Sequence, residues 1–163
     1  MAKAVRHVSA HDYAVAIGTT ILSFNEMEAE LFGLIVALHG HKKLRENIEA
    51  EMFGTKVNHL AEIAADQTDL VLQERLVKIV TQARALNDKR KDMAHGLLWF
   101  DPLGARAQRR FVHFEGKRPN RTVKIDHDDS TPEEILGTAA QFDEFGNQMG
   151  ALATEIRQSL RQT

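Results

Sequence analysis

Arg90 and His95 are the two side chains of this sequence whose types and spacing best fit chemistry at a phosphate. An arginine presents a permanently charged, planar fork of N–H donors that matches phosphoryl oxygens. A histidine can take up and return a proton near neutral pH. Both stand in LNDKRKDMAHG, residues 86–96, which ends on a glycine suited to stopping a helix. Leu72, Leu76, Ile79, Ala83, Leu86, Arg90, Met93 and Leu97 recur at steps of three and four through this region, which places Arg90 within a buried helical stripe. A guanidinium there needs a partner, because unpaired buried charge is expensive. Glu28 and Glu30 are the candidates, and on that reading Arg90 is a core ion pair.

Other combinations are poorer. His7 and His11 are spaced four apart and His39 and His41 flank Gly40, but neither pair has an evident third ligand. No metal site and no cofactor are expected. There is no cysteine, which excludes disulfides, thiolate catalysis and cysteine-based zinc sites. Trp99 and Phe100 suit packing in a short strand better than stacking on a base. A glycine-rich phosphate loop is absent from the sequence.

The elements that must position Arg90 and His95 can be read from periodicity. Tyr13, Ile17, Ile21, Phe24, Met27, Leu31, Ile35 and Leu38 predict an amphipathic first helix over about 9–38. KKLRENIEAE predicts a short polar helix. Thr55 is a candidate cap for a helix reaching Ile63, and a long helix follows from about Leu70 to His95. The stretch 97–127 changes to short alternating runs separated by Gly- and Pro-bearing turns, as in a small antiparallel meander. Thr131-Pro132-Glu133-Glu134 is a strong helix start: Thr131 as cap, Pro132 in the first helical position, Glu134 completing a capping box. Ile135, Phe142, Phe145, Met149, Leu152, Ile156 and Leu160 then predict a final helix. The expected fold is all-α, an up-and-down bundle of four to five helices with a β-meander inserted before the last helix, forming one domain over 1–163.

Charge is unevenly placed. Residues 84–124 carry 11 Lys or Arg against 4 Asp or Glu, a net of +7, while residues 125–163 carry 2 against 8, a net of −6. A basic middle between acidic flanks is either an anion-attracting surface or one neutralised by its neighbours. No apolar run reaches the roughly 18 residues of a membrane span, and no apolar signal-peptide core opens the chain, so a cytoplasmic protein with no membrane partner is expected.

Arg90 and His95, separated by four residues at the end of a long helix, resemble the signature of the HEPN superfamily, and RKDMAHG is close to the extended form of that motif. The resemblance implies a metal-independent endoribonuclease, in which a ribose 2′-OH attacks the adjacent phosphate and leaves a 2′,3′-cyclic phosphate and a 5′-OH. Arg90 and His95 are then catalytic, with Asn87, Asp92 and Glu28 as supporting polar groups. Lys89, Lys91, Arg106, Arg109 and Arg110 would hold RNA phosphates without reading sequence. The resemblance further implies a toxin or defence role with an antitoxin or regulatory partner, and RNA rather than DNA as ligand. Lys91 departs from the polar residue, often Asn, that follows the arginine in the family. That departure favours an alternative, a catalytically silent dimer of the same fold that binds RNA, nucleotide or protein. Five positions on an α-helix turn through about 140° net, so one helix cannot easily aim both side chains at one phosphate. Either the helix unwinds before Gly96 or a two-fold homodimer completes the cleft, as HEPN-like proteins typically do; a homodimer is expected.

Overall fold

A computed structural model describes residues 9–39, 48–95, 97–100, 107–115, 122–128 and 130–162, and between 92 and 128 it describes the backbone alone. Four helices form a bundle: α1 (Ala10–His39), α2 (Phe53–Ala65), α3 (Leu70–His95) and α4 (Pro132–Leu160). Three of them begin on side chains that satisfy the free N–H groups of a first turn. At α1, Ser9 N donates to Asp12 Oδ2 (2.9 Å) and Asp12 N to Ser9 Oγ (3.2 Å). At α3, Asp69 Oδ1 accepts from the N–H groups of Val71 (2.9 Å) and Leu72 (3.2 Å). At α4 the capping box forms as expected: Glu134 N donates to Thr131 Oγ1, Thr131 N to Glu134 Oε2, and Pro132 opens the helix.

The start of α2 corrects the expectation of Thr55 as cap. The helix begins at Phe53, Met52 occupies the cap position, and no side chain caps it. Thr55 lies inside the first turn, its N–H donating to the Met52 carbonyl at 2.9 Å. Burial sets this boundary: the Phe53 ring packs 4.9 Å from that of Phe24, and an aromatic contact of that kind outweighs a missing cap of about 1 kcal/mol. Of the polar piece expected at 42–51, residues 42–47 lie outside the described ones, and Ile48–Ala50 form a single 3-10 turn.

The core joins all four helices. Phe24, Met27, Leu31, Leu34 and Ile35 of α1 meet Phe142, Phe145, Met149 and Leu152 of α4, with Phe53, Val57 and Leu60 of α2 and Leu76, Val80, Ala83 and Leu86 of α3. Each fully buried side chain of this size contributes about 1.5–3 kcal/mol over an exposed one. One position of the α1 stripe is displaced. Ile21 is 45% exposed, and Thr20 takes the inward place at 2%; its hydroxyl lies 2.8 Å from the Ala16 carbonyl and 3.1 Å from that of Ile135. A buried hydroxyl is tolerated because it has these acceptors.

Chain direction also departs from a simple up-and-down bundle. Tyr13 Oη donates to the Ser130 carbonyl at one end of the α1–α4 pair and Arg157 Nη2 to the Gly33 carbonyl at the other, each at about 3.0 Å. The two helices are therefore parallel. The two helices pack closely at Gly146, where a Cβ would sit 3.4 Å from Met27 Cα, at the near limit of ordinary van der Waals contact. Phe53 meets Phe24, Lys56 meets Glu28 and His59 meets His39, so α2 also follows α1. Only α3 opposes them: Arg75 pairs with Glu155 and Lys89 with Gln141 of α4. α2 begins at the level of Phe24, not beside the end of α1, which removes the alternation expected of four helices joined by three hairpins.

Between α3 and α4 the backbone forms β1 (Leu97–Phe100), β2 (Ala107–Glu115) and β3 (Thr122–Asp128), an antiparallel sheet in the order β1-β2-β3. Leu97 pairs with Arg110 and Phe100 with Ala107; Arg109 pairs with Asp128 and Glu115 with Thr122. Among the described residues no helix is long and apolar enough to cross a membrane.

Candidate functional site

Arg90 is not where the stripe on α3 places it. Leu76, Ile79, Ala83 and Leu86 are buried as that stripe requires, but Arg90 is exposed. The core ends one turn earlier. At the Arg90 level the facing surface is the ring of Phe24, and the guanidinium carbon lies 5.1 Å from its centroid. The arginine stem follows the seam while its head reaches solvent, the arrangement long cationic side chains adopt at a core's edge. Phe24 itself is held on its other sides by Phe53 and by Phe142, whose ring stands nearly perpendicular at 5.5 Å.

The expected ion pair of Arg90 with Glu28 or Glu30 is absent, and a different cation explains why. Lys56 Nζ donates to Glu28 Oε1 at 2.8 Å, with the lysine side chain only 7% exposed. Among the described residues no carboxylate pairs with Arg90. Sequence reading missed Lys56, although a signal was present: it adjoins Val57 on the buried seam Phe53, Val57, Leu60, Ala64 of α2.

These groups surround an open cleft of about 450 Å³. From α1 come Phe24 and Glu28, from the start of α2 Met52, Phe53, Gly54 and Thr55, and from α3 Asn87, Arg90 and Lys91. Positions 87, 90 and 91 share one helical face by their spacing of three and four. The uncapped first turn of α2 opens on the same cleft. A second hollow, of about 300 Å³ between α1 and α4, is lined by Glu26, Glu30 and Asp143. Its charge has the wrong sign for a phosphate.

The remaining predicted residues divide. Lys91 lines the cleft and pairs with Asp88 at 3.0 Å. Lys89 turns to the other side of α3, where it donates to Gln141 of α4 at 2.6 Å. The backbone of α3 is helical through His95, so positions 90 and 95 stand about 140° apart around its axis. The side chains of His95, Asp92, Arg109 and Arg110 lie outside the described residues, as does Arg106 entirely. Backbone pairing sets Arg110 opposite Leu97, two residues beyond His95.

The histidines considered as metal ligands arrange otherwise. His7 and His11 cannot be compared, because His7 lies outside the described residues, as does His41. His39 meets His59 of α2 instead, with Nε2 to Nε2 at 3.0 Å, ring centroids 5.3 Å apart and planes within 10°. The centroid distance equals the N···N distance plus two ring radii, so the nitrogens point straight at each other. That is the geometry of an N–H···N bond sharing one proton and leaves no space for an ion between them. Among the described residues no group of three or more His, Asp or Glu could hold a metal ion. Comparison with protein-family models, with curated proteins and with solved structures finds no match to this chain.

Proposed function

We propose that the cleft between α1, α2 and the end of α3 is half of a metal-independent RNA-cleaving site of HEPN type, completed by a second copy of the chain. One observation carries the reading: Arg90 presents its guanidinium at a cleft mouth with no carboxylate paired to it among the described residues, while Glu28 of the same cleft is held by Lys56. An arginine spent on core stability would be buried and paired. Lys91 and the open N–H groups at the start of α2 add donors on the same side.

In this proposal Arg90 binds the scissile phosphate and stabilises the charge that grows on its oxygens in the transition state. His95 accepts the proton of the 2′-OH as that oxygen attacks phosphorus, and the 5′-oxygen leaves with a proton returned by the imidazolium. The products are a 2′,3′-cyclic phosphate and a 5′-OH. The unbroken helix through His95 favours the two-fold solution to the 140° divergence, in which His95 of one chain and Arg90 of its partner face one phosphate.

The test is incubation of purified protein with mixed RNA in EDTA. Wild type is expected to cleave, and Arg90→Ala and His95→Ala each to lose at least about a hundredfold in rate. A monomer by light scattering, or cleavage retained in both variants, overturns the proposal. Binding without cleavage supports instead the silent dimer, which the Asp88-paired Lys91 at the position after Arg90 favours.

A further inference from the structure

Met52 and Asn87 line the same cleft as Arg90. Met52 occupies the cap position of α2, where Ser, Thr, Asp or Asn would satisfy the first turn, yet it caps nothing and is 80% exposed. Its thioether chain lies at the rim of the cleft, accessible to a ligand seated there. Asn87 is half-buried in the same cleft beside Gly54, whose Cβ position would be 3.9 Å from the amide nitrogen. Its amide forms no hydrogen bond among the described residues and stays open to the cleft, so it can donate and accept toward a ligand there. An apolar, polarisable cover and an unused donor–acceptor pair thus face one space, next to the cation proposed to hold phosphate.

We infer that Met52 and Asn87 form a subsite for one unpaired nucleobase, adjoining the phosphate held by Arg90; this rests on the RNA-binding reading of the cleft. The volume of about 450 Å³ suits a single small ligand group, not a duplex. The flexible thioether of Met52 lies over a flat ring of any identity. The Asn87 amide offers one acceptor and one donor side by side, and each of the four bases carries a donor next to an acceptor on its pairing edge. In a duplex that edge is occupied, so the subsite selects unpaired nucleotides while discriminating weakly among bases. Phe24 is not the stacking surface, because Arg90, Phe53 and Phe142 already cover it.

The experiment measures fluorescence anisotropy of a labelled RNA on full-length His95→Ala protein in EDTA. The RNA is offered as a single strand, as the same strand annealed to its complement, and as the same strand carrying abasic riboses. The single strand is expected to bind about tenfold tighter than either control, the effect of one stacked and hydrogen-bonded base. Adding Met52→Ala or Asn87→Ala should bring all three ligands within about twofold, with unchanged thermal melts showing that the fold is intact. A tenfold preference that survives in both variants overturns the base subsite while leaving the phosphate reading in place. Equal weak binding of all three ligands by Met52 and Asn87 wild-type protein also overturns it. No binding of any RNA, together with no cleavage by the unmodified chain, overturns the phosphate reading itself.

Discussion

Arg90 lines the cleft and Lys56 holds Glu28, another of its lining residues; the two cations are spent in opposite ways. Lys56 rises from a buried seam of α2 and closes on Glu28 at 2.8 Å, with 7% of its side chain exposed. Arg90 continues a buried seam of α3, yet its head lies in solvent over the Phe24 ring with no carboxylate among the described residues. The difference follows from what each meets. Lys56 projects toward α1 where Glu28 stands, and a lysine can neutralise one oxygen as a compact point charge. Arg90 meets an aromatic face, which attracts a guanidinium by its quadrupole but leaves the planar N–H fork free. A cation held in the first way supports the fold; one held in the second is available to a ligand.

That contrast can be broken by removing each cation in turn. Lys56→Ala strands Glu28, whose side chain is one-quarter exposed, and should lower unfolding free energy by about 2–4 kcal/mol, below the loss for a wholly buried pair because water reaches the acid. Arg90→Ala should cost less than about 1 kcal/mol in the same urea titration. Replacing both partners, Lys56→Met with Glu28→Leu, should recover most of the loss, since an apolar pair leaves no stranded charge. If Arg90→Ala proves the more destabilising variant, the assignment of roles to the two cations is reversed.

How far this was legible from the sequence depends on what a helical pattern encodes. The stripes through Phe24, Met27 and Leu31, through Leu76 to Leu86, and through Phe142, Phe145 and Met149 all became core, because burial of a continuous face is a property of spacing within one helix. The capping box at Thr131 was readable for the same reason: its partners are three residues apart. Arg90 was misread as buried because spacing marks the seam but not where the opposite helix stops supplying core, and that point is fixed by Phe24, more than sixty residues earlier. The Lys56–Glu28 pair and the His39–His59 contact are likewise long-range. The parallel course of α1 and α4 was invisible too, since direction depends on how the chain returns between elements. Arg90, Lys91, Asn87 and Glu28 were nevertheless chosen from the sequence and share one cleft; Phe24 and Met52 were not, because neither carries an obvious chemical group.

Phe24 links the two cations' surroundings, so its replacement sharpens the comparison at an intermediate scale. Phe24→Leu keeps an apolar core residue but removes the ring under Arg90 and the aromatic contacts with Phe53 and Phe142. The expected loss of stability is about 1–2 kcal/mol. The RNA cleavage proposed above should then fall by about tenfold as the guanidinium loses its platform, with EDTA resistance unchanged. Unaltered cleavage at unaltered substrate affinity would show that the ring supports the core alone and that Arg90 is positioned by something else.

The smallest effect belongs to a third cation, and it isolates burial as the variable. Arg75 Nη1 meets Glu155 Oε2 at 2.8 Å, the same separation as Lys56 to Glu28, but the two side chains are 46% and 56% exposed. Its hydrogen bond and charge hold the Glu155 carboxyl below the ordinary 4.5. A carboxyl lowered by folding releases its proton more readily in the folded chain, so the pair's contribution is fully present above the ordinary carboxylate value and fades as pH falls through the lowered one. At neutral pH and physiological salt an exposed pair is largely screened and offset by the cost of ordering two long side chains. Glu155→Gln should therefore leave the pH 7 melting temperature within measurement error and differ from wild type only by a slightly flatter acid limb, below the ordinary carboxylate value. A loss comparable to that of Lys56→Ala would mean that contact length, and not burial, decides what an ion pair contributes in this fold.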